Sequence, residues 1–128
     1  MPTTRLPTAE GCTLHEAGQA WDAIRVPRQL GLAAMAILGA RCGAVLEYPH
    51  KAAVYYFVPR GTAAHWELEG TQPLGEGSTL TIPPARCTTA PGPHWRVCPG
   101  DDGWLTDARA LQAALEDCSP RNGSEWSA

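Results

Sequence analysis

The chain has 128 residues, enough for one domain of ordinary size and too few for two. A chain this long buries roughly two-thirds of its unfolded surface, so a core needs no metal or disulfide to staple it. The net charge is −3 and Lys51 is the only lysine among ten basic residues. That excludes the basic excess with which a general nucleic-acid binder neutralises phosphate.

Five cysteines, an odd count with no compact framework, read as reduced thiols. No apolar central run follows Met1 to mark an export signal. The longest apolar run, Leu30 to Ala40, has eleven residues where a bilayer span needs about 20. The expectation is a cytoplasmic protein that does not enter a membrane.

In chain order, residues 1–19 have little periodicity and read as a mobile arm, with Cys12-Thr-Leu-His15 its one feature able to do chemistry. Trp21 to Val26 alternates as a strand, with Trp21, Ala23 and Arg25 on one face and Asp22, Ile24 and Val26 on the other. Pro27 ends it, because proline has no N–H for the ladder. Arg28 to Cys42 carries a helical stripe of Leu30, Ala34, Ile37 and Leu38. The opposite stripe, with Leu32, Met35 and Ala36, is hardly more polar, so this helix must be covered on both sides. The expected second cover is another copy of the chain, with the N-terminal arm as the alternative.

Gly43–Tyr48 and Ala52–Val58 form a hairpin pattern, and His65–Glu69 alternates as a further strand with Trp66 and Leu68 inward. Gly70–Gly77 reads as a connection, and Thr79–Ile82 as a strand stopped by Pro83-Pro84. His94–Cys98 is the last strand, with Trp95 and Val97 both inward. Thr106 is placed to cap a closing helix over Asp107–Asp117, and residues 119–128 form a fraying tail. The sum is an α+β domain over residues 20–118, a mostly antiparallel sheet of five or six strands with two helices packed on it.

The run Asp22-Ala-Ile-Arg-Val-Pro27 followed by a helix, then Ala53-Val-Tyr-Tyr-Phe-Val-Pro59, Gly75 to Pro84, Pro93-His-Trp-Arg96 and Gly103-Trp-Leu-Thr-Asp107 succeed one another in a distinctive order. In that order and spacing the chain resembles the C-terminal half of the bifunctional DNA primase/polymerase (prim-pol) domain, of the archaeo-eukaryotic primase superfamily. The resemblance implies two acidic residues one apart on the early strand, a histidine before a strand-ending proline and a further acidic residue before a glycine turn. Together these would hold metal and nucleotide. Here Asp22 stands at the first position, Ile24 or Arg25 at the second, Ala53 at the histidine and Gln72 near the third carboxylate. One carboxylate of three cannot hold two cations against water, so the resemblance implies a fold without its two-metal chemistry.

Other constellations are thinner. Cys12, His15, Cys87, His94 and Cys98 could supply zinc ligands, but their spacing lacks a paired knuckle, and no metal or other cofactor is expected. Trp21 beside Arg25 and Arg28 is the one candidate aromatic-and-arginine patch, against the general tendency of tryptophan to pack inside. No nucleophile or acid–base pair is placed, so no enzyme is expected. The expectation is a non-catalytic interaction or regulatory module. It would self-associate through Leu32, Met35 and Ala36 and engage a protein partner. The alternative is nucleotide or nucleic-acid binding in a residual cleft formed by Trp21, Asp22, Arg25 and Arg28.

Overall fold

A computed structural model of the chain describes residues 13–84, 87–88, 92–97 and 105–118. They form an α+β fold of seven antiparallel strands in two sheets and two helices. The strands are β1 (Thr13–Glu16), β2 (Asp22–Pro27), β3 (Val45–Tyr48), β4 (Ala53–Val58), β5 (Gln72–Leu74), β6 (Thr79–Ile82) and β7 (His94–Val97). The helices are α1 (Arg28–Leu38) and α2 (Ala108–Cys118).

The main sheet has the order β5-β2-β4-β3-β7, and β1 pairs with β6 as a separate ribbon. Both faces of the main sheet are covered. One carries Ile24, Val26, Val45, Val54, Tyr56 and Val58, packed with Ala34 and Leu38 of α1 and with Leu111, Ala114 and Leu115 of α2. The other carries Trp21, Ala23, Leu46, Tyr55, Phe57 and Trp95, packed with Leu80 of the ribbon. A strand between two covers reads as a continuous apolar run, and all six residues of the central β4 are buried.

Helix α1 lies close on the sheet because Gly31 allows it. A Cβ there would stand 2.1 Å from Val54 Cγ2, and the Tyr56 hydroxyl donates to the Gly31 carbonyl at 2.5 Å. The helix stops at Gly39, whose φ of 55° no β-branched residue adopts readily.

Several sequence expectations change in the fold. Residues 13–16, inside the expected arm, form β1, because their ribbon with β6 caps the second core. Residues 17–19 of that arm form a turn with Ala17 fully buried, and residues 1–12 and the expected tail lie outside the described residues. His65–Glu69 is no strand: a 3₁₀ turn occupies Thr62–His65, and Trp66 is buried from an irregular segment. The strand forms instead at Gln72–Leu74, inside the expected connection, where Pro73 is tolerated on a sheet edge. In β7 the pairing shifts from Leu46↔Trp95 to Val45↔Val97, leaving Arg96 as an extra residue. Such a bulge turns Trp95 and Val97 into opposite cores.

Asp107, not Thr106, caps α2, its Oδ2 accepting from Ala110 N–H at 3.0 Å. Thr106 is fully buried and ties the helix to the sheet, donating its N–H to Phe57 O and accepting Gly43 N–H on Oγ1. Helix α2 covers part of the second stripe of α1: the two helices lie against each other, and Leu32 and Met35 pack on the core they share. Ala36 stays exposed. No helix among the described residues is long and apolar enough to cross a membrane.

Candidate functional site

Strand β2 sits between β4 and β5, so its residues fix what comes together at its end. Arg25 pairs with Tyr55 on one side and Gln72 on the other, and Pro27 pairs with Ala53. The β3–β4 connection is a 3₁₀ turn over Pro49–Lys51 closed by Ala52 N–H to Pro49 O. Ala52 takes a left-handed φ of 51°, the one such non-glycine among the described residues. It accepts the Arg28 N–H on its carbonyl at 2.9 Å. This turn places Lys51 beside the end of β2.

The result is a cavity of about 460 Å3 lined by Arg25, Pro27, Lys51, Ala52, Ala53, Gly70, Thr71 and Gln72. Arg25 and Lys51 bring two positive charges, Thr71 a hydroxyl and Gln72 an amide. None of these lining residues is a carboxylate, and neither cation forms an ion pair among the described residues. Burial raises the Tyr55 phenol above its ordinary range, and the neighbouring Arg25 charge offsets part of that rise. A concave site of this charge and size fits an anionic group of a small ligand.

Three positions chosen by spacing meet here: Arg25, Ala53 and Gln72. The others do not. Asp22 is buried at the opposite end of β2, roughly 10 Å from Arg25 and roughly 16 Å from Pro27 at about 3.3 Å per residue. Its Oδ2 accepts from Gly61 N–H at 2.9 Å and Ala63 N–H at 2.8 Å, so it pins the loop after β4. Ile24 is in the core. Trp21 belongs to no exposed patch: it is 6% exposed and meets Phe57 edge-on at 4.9 Å. The reason is its register, which turns it into the ribbon-side core with Ala23.

Arg28 has another partner. Its Nε donates to Oε2 of the buried Glu47 at 2.5 Å, while Arg96 Nη1 and His94 Nε2 approach Glu47 Oε1 at 3.3 and 3.4 Å. Neither of the latter contacts is aligned as a hydrogen bond, and Oε1 has no hydrogen-bond partner. Burial alone would raise the Glu47 carboxyl; the Arg28 hydrogen bond and the charges of Arg28, Arg96 and His94 outweigh it and hold the group below its ordinary value. This cluster joins the start of α1 to β3 and β7, and it passed unseen in the sequence because its members are separated by up to 68 positions, from Arg28 to Arg96.

Of the zinc candidates, Cys12 and Cys98 lie outside the described residues. His15 is on β1 opposite Leu80. His94 donates from Nδ1 to Gly92 O at 2.8 Å and turns Nε2 to Glu47, while Cys87 Sγ contacts Pro93 O. Among the described residues no three His, Cys, Asp or Glu side chains gather as a metal site. The residues missed by sequence reasoning are Lys51 and Thr71, whose signals were a lone lysine in a proline turn and a threonine after glycine. Comparison of the chain with protein-family models, with curated proteins and with solved structures finds no match.

Proposed function

We propose that the chain is a non-catalytic, prim-pol-like binding domain that holds the phosphate groups of a nucleotide in the cavity at the end of β2. The observation that carries this reading is the meeting of Arg25, Ala53 and Gln72 with Lys51 in one cavity without a lining carboxylate. Where the resemblance would have metal between carboxylates and phosphate, this chain offers a guanidinium and an ammonium. Arginine and lysine bind phosphate directly, one as a planar fork and the other as a point charge. Asp22, with Oδ2 committed to two backbone amides, is not free to hold a cation there.

A nucleotide suits the site better than a nucleic-acid strand. Strand binders stack successive bases on aromatic side chains along a basic groove, and no aromatic residue lines this cavity. Net charge −3 points the same way. Self-association is the second reading: α2 covers Leu32 and Met35, while Ala36 and the 45% exposed Ile37 remain on the open side of α1.

The test is a titration of a nucleoside triphosphate against the full chain and against Arg25→Ala and Lys51→Ala, each at two salt concentrations. The proposal expects binding that weakens with salt and in both variants. Binding indifferent to both substitutions contradicts it.

A further inference from the structure

A second cavity, of about 450 Å3, opens on the helix side of the sheet between the loop after β4 and the first turns of α2. Arg60 and Arg109 line it from two different elements, His65 adds an imidazole, and Trp66 forms part of its wall. No carboxylate is among its lining residues, and neither arginine forms an ion pair among the described residues. Asp107, just before α2, caps the helix with Oδ2, Glu116 Oε2 accepts from Gln112, and Glu67 beside Trp66 is exposed.

The walls are held from behind. Asp22 accepts both Gly61 N–H and Ala63 N–H, and Thr62 Oγ1 donates to Pro59 O at 2.7 Å, so the loop that carries Arg60 is fixed at three points. The indole of Trp66, 7% exposed, is fixed by its own hydrogen bond to Thr71 Oγ1. A preorganised loop loses little freedom on binding. Two arginines lining one small cavity bring the charge and the forked donors that a dianion such as a phosphomonoester accepts. The indole gives the organic part of such a ligand an apolar surface.

We propose that this cavity is a separate anion site, which takes the phosphomonoester end of a small ligand between Arg60 and Arg109 with the organic part against Trp66. It stands on the opposite face of the sheet from the cavity at Arg25 and does not rest on the function proposed above. Asp22 is then a positioning residue of this site.

The experiment follows the indole N–H resonance of Trp66 in the full chain while phenyl phosphate, and in a parallel arm inorganic phosphate, is added at low ionic strength. The expected result is a saturable shift with phenyl phosphate near the 1 mM scale, at roughly −4 kcal/mol. Inorganic phosphate should bind several-fold more weakly. Arg60→Ala and Arg109→Ala, both surface changes that keep the fold, should each weaken binding about tenfold, and Arg25→Ala should leave it unchanged. A shift that does not saturate, that survives both arginine substitutions or that is lost in Arg25→Ala overturns the site. Equal affinity for the two probes overturns the assignment of the organic part to Trp66.

Discussion

The indole N–H of Trp66 donates to Thr71 Oγ1 at 2.8 Å, and so bonds the wall of one cavity to the wall of the other. The Thr71 hydroxyl in turn donates to Leu68 O, also at 2.8 Å, which closes the segment between β4 and β5. Thr71→Val keeps the shape and removes the acceptor, leaving a buried indole N–H without a partner. The expected cost is about 1–3 kcal/mol, read as a lower urea midpoint with an unchanged slope. Unchanged stability would mean that the indole proton finds another acceptor.

Arg25 and Lys51 should contribute to anion binding separately, since they come from different elements and touch no shared carboxylate. Each alanine substitution is expected to weaken triphosphate binding about tenfold, or about 1.4 kcal/mol. Arg25→Glu should abolish binding, because it puts a negative charge where phosphate would lie. Calorimetric titration checks all three, and a fully active Arg25→Glu variant would exclude this cavity as the site.

Glu47 predicts an acid limb in stability. Its carboxyl lies below its ordinary value in the folded chain, so the unfolded chain takes up the proton first as pH falls. The stabilisation is therefore complete above about pH 4.3, the ordinary glutamate value, and drains away as pH drops through the lower folded value. In Glu47→Gln this part of the slope should vanish, with stability at pH 7 reduced by about 1–3 kcal/mol. Urea unfolding at stepped pH measures it, and parallel pH profiles for the two proteins would refute the linkage.

Gly31→Ala tests the packing of α1. The added methyl would overlap Val54 Cγ2, and the helix can relieve it only by moving off the sheet and off the Tyr56 hydroxyl. The expected loss is about 1–3 kcal/mol despite the better helix propensity of alanine. A stabilised variant would show that Val54 gives way instead.

Much of the fold was legible because local signals agreed with it. Alternation marked β2, β6 and β7, proline closed β2 and β4, and the apolar helix announced two covers. The identity of the second cover was not legible, because nothing local distinguishes α2 from a partner chain. The alternation at His65–Glu69 misled because Trp66 is buried by the helices rather than by a ladder, while Gln72–Leu74 forms one with few apolar residues. At the site, strand register brings Arg25, Ala53 and Gln72 to one cavity, because pairing carries sequence distance into space. It failed for Asp22 and Arg28, since Asp22 begins the strand and Arg28 follows its other end. Lys51 and the Glu47 cluster depend on turns and cross-strand neighbours that no local pattern encodes.

The central claim is that side-chain cations, with no metal ion, hold phosphate at the end of β2. Calorimetric titration of a nucleoside triphosphate into the full chain, once with a chelator and once with excess magnesium, tests it most directly. Direct binding by Arg25 and Lys51 predicts affinity in the chelator at least equal to that with magnesium, because the metal cancels phosphate charge. Binding that appears only with magnesium would contradict the account.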